Sequence, residues 1–278
     1  MLFLTKLFKF YINANIHVSL AAASMLLVVE RFFNVERGEG ALILFCSTFI
    51  SYNFIRWRKW RKGELKLEMK AWFESSLKRL KFLNILLTSL LVYLLLDVQL
   101  ITFVVLLPFC LVTLFYMIPV FKRQHRRYSL RVVPGIKIFS IAFSWAGLSV
   151  GFVAAQNNIL SEVKVFWLFV TMFLFVIALT LPFDIRDRYF DSDKLKTLPQ
   201  VFGVKISKII GSLCLLIVVL IDSLVFKLNI STLLVTLVLG ILLLKSTTNQ
   251  SLYFSSFGVE SVPIVWYLLT FIGLGQVF

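Results

Sequence analysis

The chain has 278 residues, 59% of them hydrophobic and 15% charged, with a mean hydropathy of +0.91. Soluble domains sit nearer half apolar and a quarter charged, so these values exclude an ordinary soluble enzyme and describe a polytopic membrane protein. The formal charge of +15 would suit a nucleic-acid binder. Basic cytoplasmic loops facing anionic lipid account for it instead, and membrane lipid, not nucleic acid, is the expected partner.

The N-terminal stretch Met1 to Tyr11 carries Lys6 and Lys9 but no small-residue cleavage site after a short apolar core. It reads as an interfacial lead-in and not as a removed signal peptide. A bilayer crossing needs roughly 20 apolar residues, with shorter runs tolerated inside a bundle. Such runs recur at 15–33, 40–55, 82–97, 99–119, 132–154, 163–183, 207–226, 230–246 and 261–277. They predict an all-α bundle of nine transmembrane helices forming one domain over residues 1–278. The short gaps at Asp97 to Gln99 and Lys227 to Asn229 predict tight hairpins of the third span with the fourth and the seventh with the eighth. Cys46, Cys110 and Cys214 lie inside apolar runs without metal-ligand spacing, which makes them packing residues.

Loop charge sets the orientation. Ten Lys/Arg lie in 56–81, six in 122–137 and six in 186–208. With Lys6, Lys9 and Lys245 they fall on one side of an alternating nine-span path, opposite Arg37, Lys164 and Lys227. The asymmetry predicts a cytoplasmic N-terminus, an outer C-terminus and a cytoplasmic face for every long polar loop. Within 56–79, Trp57, Trp60 and Trp72 interleave with Lys and Arg, the pattern of an interfacial helix against anionic headgroups.

The sixth apolar run ends in Pro182-Phe183-Asp184-Ile185-Arg186-Asp187-Arg188-Tyr189-Phe190-Asp191. On a continuing helix Asp184, Asp187 and Asp191 fall within an arc of roughly 60°, stacked along ~10 Å. Three carboxylates this close at a membrane boundary suggest a cation between them, and oxygen-rich sites favour Mg²⁺ or Ca²⁺. The plainer alternative pairs Asp184 with Arg188 and Asp187 with a loop arginine on a solvated surface.

These residues, followed by Lys-Thr-Leu-Pro-Gln-Val-Phe-Gly at 196–203, resemble the second aspartate-rich motif of the UbiA superfamily of intramembrane prenyltransferases. The segment Tyr116-Met117-Ile118-Pro119-Val120-Phe121-Lys122-Arg123 is similar to that family's Tyr/Pro/Lys-Arg segment. The resemblance implies a UbiA-like bundle with a central cavity facing the cytoplasm, in a bacterial inner membrane. It also implies that Asp184, Asp187 and Asp191 hold Mg²⁺ with the diphosphate of a polyprenyl donor, whose prenyl group passes to a hydrophobic acceptor. Asn53, Tyr116, Lys122, Arg123 and Arg131 would then contact the diphosphate.

One departure stands beside this match. The family's first motif belongs at the end of the second span, where the chain reads Tyr52-Asn53-Phe54-Ile55-Arg56-Trp57-Arg58-Lys59-Trp60-Arg61. Asn53 matches, but Phe54, Trp57 and Arg61 occupy the three acidic positions. Either Arg56 or Arg61 contacts the diphosphate in place of a metal ion, or the chain keeps the fold and binds an isoprenoid or other lipid without transferring it. A transporter is the third reading, weakened by the lack of an internal repeat and by the gathering of polar residues on one face. No catalytic base is singled out: His17 and His125 read as a bundle-bonded and a solvated histidine, and Asp222 and Glu30 as groups paired within the bundle.

Overall fold

The computed structural model describes residues 2–35, 37–123 and 126–271, with side chains described for 4–35, 37–120 and 128–271. Helix α1 (Leu2–Asn13) meets α2 (Ile16–Phe32) at a 60° bend. Asn15 takes the left-handed conformation at that bend (φ 64°), which asparagine tolerates better than most residues. The sequence reads the segment before this bend as an interfacial lead-in; the bend itself is a feature of the structure.

Helices α3 (Glu39–Arg61), α4 (Leu67–Leu95), α5 (Leu100–Met117), α6 (Lys137–Gln156), α7 (Val163–Arg186), α8 (Leu198–Val225), α9 (Ile230–Lys245) and α10 (Val262–Phe271) follow. A π-helical segment, Phe254–Val259, leads into α10, and a two-stranded antiparallel ribbon pairs Phe121–Arg123 with Arg126–Tyr128. Among the described residues, five helical segments are long and apolar enough to cross a membrane: α5, α6, α7, α8 and 254–271. The bent α1–α2 pair makes a sixth if taken as one span. Helices occupy the other expected stretches too, but α9 is only 16 residues long, and charged residues take up the end of α3 and the beginning of α4.

The basic segment 56–79 is not a separate interfacial helix. Nothing breaks α3 before Gly63, whose positive φ (70°) turns the chain, so the basic residues finish α3 and begin α4. Arg58, Lys59 and Arg61 thereby sit in the last turn of α3, where cations complement the helix dipole.

Sequential neighbours pack as antiparallel pairs: α2 on α3, α3 on α4, α5 on α6, α6 on α7, α7 on α8 and α8 on α9. Helix α10 returns to α2 and closes the arrangement on that side. The hairpin of α8 with α9 matches the expectation, but α4 and α5 hardly touch despite their short connection. Instead α5 lies on α6, where Gly147 permits close approach: a Cβ there would stand 2.0 Å from the Phe109 ring. The faces that α4 and α5 leave unpacked are apolar, with Leu86, Val92, Leu100 and Val104 all exposed. The main core is built on α2, α6 and α7, with Met25, Ala142, Ala146, Phe175, Leu181 and Trp266 fully buried.

Candidate functional site: the polar mouth of the bundle

The alternation of helices brings the N-terminus of α2, the C-termini of α3, α5 and α7, and the N-termini of α6 and α8 to one end of the bundle. The polar residues of interest gather there. At the end of α7, Asp184 is buried at 3% exposure. Its Oδ1 lies 2.8 Å from Lys137 Nζ, in the first turn of α6, and the same ammonium lies 2.8 Å from Asp191 Oδ2. The pairing of Asp184 with Arg188 is therefore replaced by a bridge from another helix.

Helix α7 ends at Arg186, so the expected stack of three aspartates along one helix does not form. Asp191 reaches Lys137 by a turn beyond the helix, in which its N–H and that of Phe190 both donate to the Asp187 carbonyl. Gln200 holds this turn in place. Its Nε2 donates to the carbonyls of Asp191 (3.1 Å), Arg188 (3.4 Å) and Ser192 (3.4 Å), while its Oε1 accepts the Thr197 N–H in the capping box that starts α8. The Gly135 N–H donates to Leu195 O, tying the approach to α6 to the same loop. Through Gln200, the 196–203 segment positions Asp191.

Asp187, the third aspartate, receives Arg186 Nε on one oxygen (2.8 Å) and Arg186 Nη2 on the other (2.9 Å). The Arg186 Nη1 atom is buried and has no hydrogen-bond partner. Across the mouth, Arg56 on α3 donates through Nη2 to Asn15 Oδ1 (2.8 Å), and its Nη1 is likewise buried and unpartnered. Glu260, between the π-helical segment and α10, has Arg186 and Arg56 as its charged neighbours. Tyr52 and Tyr116 complete the mouth: Tyr52 has Glu260, Tyr116 and Arg131 about it, and Tyr116 has Arg131, Lys137, Asp184 and Asp191. Arg131 Cζ lies 6.0 Å from the centre of the Tyr116 ring. Lys59 joins from α3, beside Arg131, Arg56 and Asp191.

The residues singled out from sequence divide accordingly. Asp184, Asp187, Asp191, Arg56 and Tyr116 come together. Asn53 lies next to them but is committed to the fold: its Nδ2 donates to Ala14 O and Phe49 O (3.0 Å each), and its Oδ1 accepts from Asn15 (3.2 Å). Arg61 is exposed, its guanidinium over the Trp57 ring, and is not brought into the mouth. The side chains of Lys122 and Arg123, like all of His125, lie outside the described residues. His17 donates through Nε2 to Phe257 O and the Ser261 hydroxyl and accepts the Tyr11 hydroxyl at Nδ1, all inside the bundle, as expected of it. Asp222 accepts from the Asn229 N–H, and Glu30 from that of Gly38. Lys137, Arg186 and Glu260 were not singled out. Lys137 was counted with the topology-setting charges, and the one available signal for Glu260 was an unneutralised carboxylate at the start of an apolar run.

A magnesium ion fits this arrangement poorly. Mg²⁺ demands near-octahedral oxygen ligation, yet among the described residues no three His, Cys, Asp or Glu side chains converge on a common point. The place between Asp184 and Asp191 is taken by the Lys137 ammonium, and both Asp187 oxygens face Arg186.

The fold is similar to that of two solved helical membrane proteins of UbiA type, and the long apolar helices make the chain an integral membrane protein. A UbiA homolog from Archaeoglobus fulgidus, solved with GPP and Mg²⁺ bound, superposes with a TM-score of 0.60 at 14% identity, over 94% of this chain and 99% of that one. A digeranylgeranylglyceryl phosphate synthase superposes with a TM-score of 0.55, also at 14% identity, over 97% and 99%. No family model matches the sequence, and no curated protein matches it.

Proposed function

We propose that this protein is a UbiA-type prenyltransferase that takes a polyprenyl diphosphate at the polar mouth and passes the prenyl group to a lipid-soluble acceptor. The observation that carries this reading is the pair of buried, unpartnered N–H groups on Arg56 and Arg186, which flank one carboxylate. A buried donor left without an acceptor costs about 1–3 kcal/mol, more when charged, so a fold that keeps two of them near one carboxylate has a use for an acceptor-rich anion. A diphosphate is such an anion, and guanidinium forks match its oxygens. Arg131 and Lys59 supply further positive charge at the same rim.

In the transfer, the C1–O bond of the donor breaks and its electron pair leaves with the diphosphate. The acceptor bonds to C1 and loses a proton. Arg56 and Arg186 neutralise the charge growing on the leaving group, which favours the transition state over the ground state. The nine-span path with a cytoplasmic N-terminus belongs to this reading and puts the mouth on the side where a water-soluble diphosphate product can leave.

The test is to incubate protein in lipid nanodiscs with polyprenyl diphosphates of several lengths and a panel of aromatic and lipid acceptors, following diphosphate release. Turnover that falls on Arg56→Gln and on Arg186→Gln supports the proposal. Retention of a prenyl diphosphate without release under every acceptor favours the second reading, a lipid-binding member of the fold. The motivation for that reading is that each of the three aspartates is already paired with a cation of the chain itself.

A further inference from the structure

We infer that this protein grips its diphosphate without a divalent metal, and that Lys137 is the tethered cation that makes this possible. The inference rests on the prenyl-diphosphate reading above.

The geometry leads there in three steps. First, one ammonium sits at 2.8 Å from oxygens of both Asp184 and Asp191, bridging two carboxylates as a bound cation would. It arrives from a different helix, and its side chain is only 12% exposed. A divalent ion entering the same place would have to expel a buried, charged lysine that has no other carboxylate within ion-pair distance among the described residues, and the two cations would repel at short range.

Second, the remaining aspartate is unavailable by a separate route. Asp187 faces Arg186 through both oxygens in a bidentate fork, the strongest common form of carboxylate recognition. The third nitrogen of the same guanidinium is buried and has no hydrogen-bond partner. Asp187 thus orients Arg186 for an anion and does not ligate a metal.

Third, the end of α3 brings no carboxylate to the opposite wall of the mouth and brings the Arg56 cation instead. Phe54, Trp57 and Arg61 follow Asn53, and the side chain of this turn that is buried beside Glu260 is Arg56. Every positive charge facing the cargo is therefore covalent. Such charges are always in place, whereas a metal site is populated according to metal concentration.

The experiment compares binding of a non-hydrolysable prenyl thiodiphosphate to the full chain in nanodiscs, in excess EDTA and in excess Mg²⁺. The expected affinities agree within about threefold, where a tenfold change would correspond to one decade in Kd. Spin-label-free electron paramagnetic resonance with Mn²⁺ provides a second readout: the wild-type complex immobilises no Mn²⁺. Lys137→Gln frees Asp184 and Asp191, so its binding in EDTA falls about tenfold or more, Mg²⁺ restores part of it, and Mn²⁺ becomes immobilised. If Lys137→Gln fails to fold, the wild-type comparison still decides. Wild-type binding that needs Mg²⁺, or a wild-type complex that immobilises Mn²⁺, overturns the metal-free grip and leaves the prenyltransferase reading standing. Absence of binding in both conditions overturns the two together.

Discussion

Lys137 Nζ stands 2.8 Å from Asp184 Oδ1, joining the first turn of α6 to the last turn of α7 beneath the polar mouth. Both partners are largely withdrawn from solvent, so the bond behaves as a buried ion pair and not as a surface one.

Breaking it from one side leaves a buried charge alone. Lys137→Met is expected to destabilise the protein by about 3–5 kcal/mol, seen as a fall in the thermal midpoint in nanodiscs. Lys137→Met combined with Asp184→Asn removes the buried pair, leaves only the more exposed Asp191 without its cation, and should recover part of that loss. A double variant no more stable than the single one would mean that the pair does not couple the helices.

The two arginines predict a contrast with a third. Arg56→Lys and Arg186→Lys keep the charge but lose the fork, and each should weaken prenyl-diphosphate binding about tenfold, near 1.4 kcal/mol. Arg61→Ala, at an exposed guanidinium stacked on Trp57, should change it by less than about twofold. Titrations of the three variants side by side check this, and equal losses in all three would place the anion elsewhere.

Gln200 has a positional effect to test. Gln200→Leu removes the acceptor for the Thr197 N–H and the donor to three loop carbonyls, at a cost of about 1–3 kcal/mol. Amide hydrogen exchange should quicken across 187–197 while the cores of α6 and α7 stay protected. Unchanged exchange in that loop would show that Asp191 is held by Lys137 alone.

Packing at Gly147 gives a prediction independent of the mouth. Gly147→Val drives a side chain into the Phe109 ring and should destabilise by about 1–3 kcal/mol or more. Phe109→Ala in the same chain should relieve part of this, because the clash is with one ring. Thermal unfolding of the single and double variants decides.

The sequence made much of this legible, and its failures share one cause. Asp184 and Asp191 announced themselves by spacing at the end of an apolar run, whereas the bend after α1 had no signal in the sequence reading. Lys137 did not, because its partners are 47 and 54 residues away and nothing local distinguishes it from a lysine that sets topology. Glu260 and Arg56 are related only through the closure of α10 onto α2, a tertiary event no periodicity encodes. Asn53 was expected at the diphosphate from its match to the motif, and the structure bonds its amide within the fold. That its amide is spent on fixing the α1–α2 bend follows only once Ala14 and Asn15 are placed beside it.

The unpacked faces of α4 and α5 give the molecule a solvent requirement of their own. Rows of leucine and valine there have no protein to lie against, so acyl chains must supply the missing wall. The fold is thus finished by its bilayer, and a short, fast-exchanging detergent would leave that seam as the first place to give way.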